Sequence, residues 1–391
     1  MKVLLISTSE SSGGGAIAAR RLMEALNKSD VEARLMVRDK QSDDANVIQV
    51  GNTLPKFLER LAILPRSGFD RSRLWQADIA NVGIPVTGTQ AFQEADVIHL
   101  HWVNQGMLSL DEMGKILQSG KRVVWTLHDE WPYLGVCHYR GECREQECRK
   151  CPLMNGTTPH NIYKRKRALY ARWHPAFVGC SQWITDEAQK AMPQEWVTHV
   201  NNCIPSKKYH SIDMREARKA LSLPSEGRLL LFCSQKVTDE RKGIKFLVEA
   251  LQQLHEGDMR LVIVGKDSER IPLPESIPAI RLGSVGEEMM PRIYNAADAF
   301  VTPSLQDNLP NTIAEAMSCG SPCIGFNVGG IPEMIDHTKN GYVARYRDAA
   351  DLADGIRFVL SHDLRAAARS KASIAYNEEE VAEQYIDIYR G

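Results

Sequence analysis

Two successive α/β domains, each built on a parallel sheet, are predicted for this 391-residue chain by three observations. Short apolar, β-branched runs alternate with segments of helical period: Val3–Ser7 before Ala16–Leu26, Ala176–Ser181 before Trp183–Ala191, Leu229–Ser234 before Ile244–Leu254. These runs give way to Gly, Pro, Ser, Asp and Asn, the residues of tight turns. The series then starts again after Asn201–Pro205, and each half is long enough to bury a core of its own.

The elements follow in order. Val3–Ser7 is a buried strand, Ser11–Gly15 a glycine-rich turn and Ala16–Leu26 a helix. Such a turn suits either positive φ or an anion held by backbone N–H groups at a helix N-terminus. Gly14 and Gly15 are therefore candidate ligand contacts. Val31–Val37 is the second strand. Pro55–Gly88 is mixed, with Phe57, Leu58, Leu61 and Leu64 striped among Lys56, Arg60 and Arg66. An ordinary surface helix packing inward explains that stripe, and so does contact with a membrane or an amphipathic acceptor.

Asp96–Trp102 and Arg122–Asp129 end two more strands and place His101 and His128 at carboxyl ends, where ligands of open α/β sheets collect. Cys137, Cys143, Cys148 and Cys151 follow within fifteen residues, the last two spaced C-x-x-C. Structural zinc, two disulfides and free thiols all remain open for this insertion, 137–151. Tyr163–Tyr170 is a basic run on a helix, either a solvated face or an attraction for anionic lipid or phosphate. Ala176–Ser181 reads as the last strand of this half.

The second half runs through Leu229–Ser234, Ile244–Leu254, Leu261–Gly265, Ile280–Gly283 and Met290–Ala296 to its most informative stretch. There Ala299–Thr302 reads as a buried strand. Asp307 or Asn308 can cap a helix opened by Pro310, with Gly320 closing it. Ser321–Phe326 is the next strand, and Gly329-Gly330 turns after it. Asp307 and Glu315, eight residues apart, can face one crevice and touch two ends of an elongated ligand.

Composition narrows the function. A net charge of −1 with 25% charged residues gives no global attraction for nucleic acid. No apolar run reaches spanning length, and the first strand is too short for a signal peptide, so a soluble cytoplasmic protein is expected. The chain has no D-x-D pair. A diphosphate leaving group would then be stabilised by fixed cations and helix N-termini, with Lys242 before Gly243 the first candidate.

The stretch PSLQDNLPNTIAEAMSCGSP, 303–322, resembles the donor-site signature of the family 4 (group 1) retaining glycosyltransferases, P-S-x-x-E-x-x-P-x-x-x-x-E-A-M-x-x-G-x-P. Asp307 stands where that family usually has its first glutamate; Glu315 matches the second. The resemblance implies the GT-B fold: two facing Rossmann-like domains with an interdomain cleft. Asn201–Pro205 resembles the family's domain junction; the first domain, 1–203, would bind acceptor and the second, 204–371, donor, with residues 372–391 packing back on the first. It implies a hexosyl transfer from a UDP- or GDP-sugar to a saccharide or lipid-linked acceptor, with retention, in surface polysaccharide synthesis. Catalysis would need no cofactor, and contact with the inner face of the membrane would be peripheral.

Residue by residue, the resemblance gives His128 to the transferred sugar and Lys242 to the diphosphate, with Lys236 and Arg241 competing for the place of the arginine that the family usually has a few residues upstream. Asp307 and the amides of Asn308 and Leu309 would read the sugar, and Glu315 the ribose hydroxyls. Gly329 and Gly330 would close on the nucleotide, Gly14 and Gly15 would lie against the diphosphate and acceptor, and His101 would touch acceptor. Two rivals are a nucleotide-sugar 2-epimerase of similar fold, which needs acid and base carboxylates, with Glu10 and Asp129 the nearest to hand, and a non-catalytic nucleotide-sugar-binding protein.

Overall fold

The computed structural model describes residues 1–145, 147–254 and 259–391. Gln146, inside the cysteine-rich insertion, lies outside the described residues. The chain divides into two compact units, Met1–Cys203 with Glu379–Gly391, and Ile204–Glu378.

The first unit is built on strands β1 (Lys2–Ser9), β2 (Glu32–Asp39), β3 (Val47–Gln49), β4 (Val97–Leu100), β5 (Arg122–Leu127), β6 (Ala176–Gly179) and β7 (Val197–His199). They form one sheet in the order β3-β2-β1-β4-β5-β6-β7. All neighbours are parallel, with Leu5 opposite Leu35 on one side and His99 on the other. Side chains alternate between faces along a strand. Leu4, Ile6, Ile98, Trp125 and Phe177 therefore join one apolar cluster, while Val3, Leu5, Val97, Val124 and Val178 join another. Burial on both faces is the usual state of a parallel sheet, and it explains why these strands are apolar without alternation.

Two expectations about this half need correction. Ala176–Ser181 is not its last strand, since β7 follows and pairs with β6. The element that returns to the first unit is the helix Glu378–Arg390, whose Val381, Ala382, Tyr385, Ile386 and Tyr389 complete the second apolar cluster. Residues 372–375 belong instead to the helix Arg365–Ala375, which packs on the helix Asn311–Ser318 in the second unit.

The second unit carries strands β8 (Arg228–Lys236), β9 (Met259–Lys266), β10 (Ala279–Gly283), β11 (Ala299–Thr302), β12 (Cys323–Phe326) and β13 (Gly341–Ala344). Their order is β10-β9-β8-β11-β12-β13, again all parallel. In both sheets the strand order reverses once, between β1 and β4 and between β8 and β11. Loops leaving adjacent strands at such a reversal go to opposite faces and open a crevice at the carboxyl edge. Both units therefore offer one built-in place for a ligand.

Candidate functional site

In the second unit, three loops meet at the carboxyl edge beside the β8/β11 reversal. The loop after β8 ends in the turn Glu240–Lys242 and in Gly243, whose φ is 68°. A Cβ on Gly243 would fall 1.8 Å from the Pro303 carbonyl oxygen, so only glycine lets this loop lie on the one after β11. The Leu305 N–H donates to the Arg241 carbonyl at 2.6 Å. The β11 loop is joined in turn to the β12 loop: Gly330 N–H donates to the Asn308 carbonyl at 2.8 Å. Gly329, at φ 57°, sits where a Cβ would overlap the Asp307 carbonyl.

Within this assembly the Lys242 ammonium donates to Asp307 Oδ2 at 2.6 Å, with both side chains partly exposed. Residues 65 apart in sequence thus form one site. Arg241 is turned onto Asp239, with Nη2 2.6 Å from Oδ2. Lys236 lies exposed at the end of β8. Neither Asp307 nor Asn308 caps the next helix. Pro310 holds the cap position at φ −66°, and the helix runs Asn311–Ser318 without a side-chain cap. Release from capping leaves the Asp307 carboxylate to Lys242. Asn308 and Leu309 are buried behind it.

Glu315 is buried on that helix, and its Oε2 accepts the Tyr294 hydroxyl at 2.8 Å. Tyr294 comes from the helix Met290–Ala296 and also lies 3.7 Å from Cys233 Sγ. Sequence reasoning missed Tyr294, because nothing in its own segment marks it as the partner of a carboxylate.

The first unit repeats the pattern at the β1/β4 reversal. The glycine turn after β1 brings Gly15 against His128: a Cβ at 15 would meet His128 Cγ at 3.0 Å. Gly14 begins the helix Gly14–Leu26 and is exposed. His128 Nε2 pairs with His101 Nδ1 at 2.9 Å, and the two rings stack. Burial holds the His128 imidazole down at about 4, against the raising pull of Asp129, so it is neutral near pH 7. Burial also holds His99 and His101 well below the ordinary histidine range.

His101, expected to touch acceptor, is only 3% exposed and is covered by the His128 ring. Beneath them His99 joins the Tyr389 hydroxyl through Nδ1 and Thr126 Oγ1 through Nε2, both at 2.8 Å.

The two carboxylates an epimerase would draw on are engaged. Glu10 Oε2 accepts the N–H groups of Gln41 and Ser42 at 2.7 and 3.0 Å. Asp129 Oδ2 accepts Trp102 Nε1 and pairs with His138 Nδ1, both at 2.7 Å, while its Oδ1 takes the Trp131 N–H at 3.0 Å.

Cys137, Cys143, Cys148 and Cys151 are all free thiols, so the disulfide alternative is not realised. Burial pushes the Cys137 thiol up, as do its neighbours Cys148 and Cys151. Cys148 Sγ accepts the Gly135 N–H at 3.2 Å. Among the described residues no group of three or more His, Cys, Asp or Glu side chains is disposed to hold a metal ion, so as arranged these thiols do not fit zinc. No described helix is long and apolar enough to cross a membrane.

Comparison with known proteins places the family match in the second unit. Residues 227–362 match the family profile "Glycosyl transferases group 1". N-acetyl-alpha-D-glucosaminyl L-malate synthase of Bacillus anthracis is 26% identical over 219 residues, 53% of this chain and 56% of that protein. The chain thus spans little more than half the length of that relative. An uncharacterized glycosyltransferase of Methanocaldococcus jannaschii is 23% identical over 358 residues, 81% of this chain and 89% of its own. Among solved structures, sucrose-phosphate synthase from Thermosynechococcus elongatus superposes with a TM-score of 0.72 at 20% identity, covering 100% of this chain and 98% of that one. HepE of Anabaena, solved with UDP-glucose, gives 0.67 at 18% identity, covering 99% and 98%. The second unit thus resembles the group 1 glycosyl transferases over residues 227–362, and the two parallel sheets are those of the GT-B fold.

Proposed function

We propose that this chain moves a hexose from a UDP- or GDP-sugar to a saccharide or lipid-linked acceptor, with retention and without a metal, in the cytoplasm during synthesis of a surface polysaccharide. The observation that carries the reading is the Lys242–Asp307 pair at 2.6 Å, held where three loops converge at the β8/β11 reversal. Without donor, the carboxylate keeps the ammonium in place. With donor, Lys242 turns to the diphosphate, and Asp307 is released to a hydroxyl of the sugar.

In this reading the bond from the anomeric carbon to the diphosphate oxygen breaks, and the acceptor oxygen bonds to that carbon on the same face. The acceptor proton passes to the departing phosphate oxygen. Charge building on the diphosphate is met by Lys242, which donor binding has already turned toward it before the bond breaks. Lys236 and Arg241 stand close in the chain to assist. Glu315 accepts from the ribose hydroxyls, a task suited to a carboxylate with two oxygens. The backbone at Asn308, Leu309, Gly329 and Gly330 closes around the sugar and nucleotide. His128, neutral and set against Gly15, offers a hydrogen bond to the sugar in place of a charge. UDP-glucose bound to HepE is the comparison that supports this donor class.

A panel of nucleotide-sugars screened by thermal stabilisation tests the reading, because a ligand that binds the folded state raises the melting temperature. One UDP- or GDP-sugar should stabilise the protein and be hydrolysed slowly without acceptor. Lys242→Ala should lower that turnover at least about 10²-fold while keeping the melting temperature of the free protein. Excess chelator should leave turnover unchanged. Stabilisation by none of the panel would remove the proposal.

A further inference from the structure

The helix Leu54–Arg66 carries its charged residues inward. Its buried side chains are Glu59, Arg60 and Ile63. Arg60 pairs with Asp78 and donates to the Ala77 carbonyl at 3.0 Å. Glu59 Oε1 accepts the N–H groups of Ile79 and Ala80 at 3.0 and 2.7 Å. At its start the helix is clamped by Gly106, where a Cβ would come within 2.5 Å of the Pro55–Lys56 backbone.

The apolar residues face out. Leu54, Phe57, Leu58 and Leu61 are 58, 63, 43 and 51% exposed, and Phe69 and Trp75 beyond the helix are 72 and 55% exposed. These six make up most of the ten large exposed hydrophobics among the described residues, so exposure is concentrated rather than scattered. The patch is held together: the Lys56 ammonium and the Arg60 guanidinium lie 5.5 and 5.1 Å from the Trp75 ring centroid. Phe69 adopts a φ of 62°, a backbone state costly for a bulky side chain, and gains no burial from it. An isolated helix with this arrangement would gain more by turning over. The interior ion pair prevents that and leaves an apolar face in water.

The rim identifies what covers it. Lys56, Arg66, Arg71 and Arg73 are wholly or partly exposed around the patch, and Asp70, paired with Arg73 at 3.0 Å, is the acid among them. A second copy of the chain docking by two-fold symmetry would set this positive rim against itself. An apolar helical face of Phe and Leu beside Trp, rimmed by Lys and Arg, matches a bilayer with negative headgroups, acyl chains below and phosphates around.

We propose that the face formed by Leu54–Arg66, Phe69 and Trp75 docks this protein on an anionic phospholipid bilayer. Phe57, Leu58 and Leu61 enter the acyl boundary, and Lys56, Arg66 and Arg71 meet the phosphates. The proposal does not rest on the transfer reaction and holds whatever the acceptor is.

The test is co-sedimentation of the full chain with vesicles of phosphatidylcholine alone and of phosphatidylcholine with phosphatidylglycerol. Binding is expected to the anionic vesicles and to weaken with salt. Phe57→Glu with Leu61→Glu should reduce it by at least about tenfold, with an unchanged melting curve because both positions are exposed. Arg71→Glu should weaken it on anionic vesicles. Absence of binding by the wild type, or equal binding by the double variant, would overturn the proposal. So would a wild-type dimer in solution that the double variant abolishes, since the face would then belong to a second copy.

Discussion

At the scale of single residues, the site rests on groups whose chemistry the local sequence announces and on partners it does not. Lys242 before a glycine and Asp307 after a strand can be read from their segments, because loops at carboxyl ends of parallel strands are where ligands gather. Their direct contact cannot be read, since it depends on Gly243 lying on Pro303 across two strands. Asp307 also reads as a helix cap, and its carboxylate is instead drawn to an ammonium, the stronger charge-assisted partner. Glu315 illustrates the reverse. Its place on the helix is legible, but the Tyr294 hydroxyl on Oε2 is a tertiary fact. That hydroxyl fixes the rotamer in which the carboxylate would meet a ribose. Glu315→Ala should therefore weaken binding of the stabilising nucleotide-sugar by about tenfold or more, the loss of one to two hydrogen bonds to a charged group. Calorimetric titration checks this, and an unchanged affinity would remove Glu315 from the site.

At the scale of elements, period and composition revealed most strands and helices, because apolar runs flanked by turn residues have few other uses. β7 was missed because three half-buried residues carry no pattern. The helix Leu54–Arg66 was legible as a stripe but not in its orientation, which is set by Asp78 and the Ile79–Ala80 backbone. The basic run Tyr163–Tyr170 misleads in a similar way. Lys166 is buried and donates to the carbonyls of Trp131, Leu134 and Gly135 at 2.6, 3.1 and 3.0 Å, so it shapes the loop after β5 rather than a charged surface. The returning helix Glu378–Arg390 acts on the site through polar contacts as well as apolar ones. Tyr389 holds His99 from one side and Thr126 holds it from the other, with Tyr385 also on Thr126 at 2.8 Å. Tyr389→Phe keeps the ring but strands a buried imidazole nitrogen, at a cost of about 1–3 kcal/mol. Urea unfolding should show that loss, and an unchanged midpoint would mean His99 finds another partner.

At the scale of the whole molecule, the succession of two parallel α/β units is what sequence reading anticipates best, since two α/β series in one chain admit few topologies. The long-range charged network of the first unit is what it anticipates least. His138 opens the cysteine-rich insertion and bridges Asp78 and Asp129 through its two nitrogens, each at 2.7 Å, while Arg60 and Trp102 hold the same two carboxylates. Segments that share no local pattern are thereby pinned at one imidazolium. Burial works against the charge, but the two carboxylates prevail and raise His138 to about 9. The folded protein therefore keeps a proton that the unfolded chain, with a histidine near 6.5, releases. The stabilisation from this group is complete below about pH 6.5 and disappears as pH rises through about 9, with a size of roughly 3 kcal/mol. His138→Asn removes the titrating group while retaining a polar side chain. Stability measured by denaturant from pH 6 to pH 10 should show the wild type well above the variant at the acidic end and the gap closing toward the alkaline end. A constant gap across that range would show that His138 packs the insertion without carrying its charge.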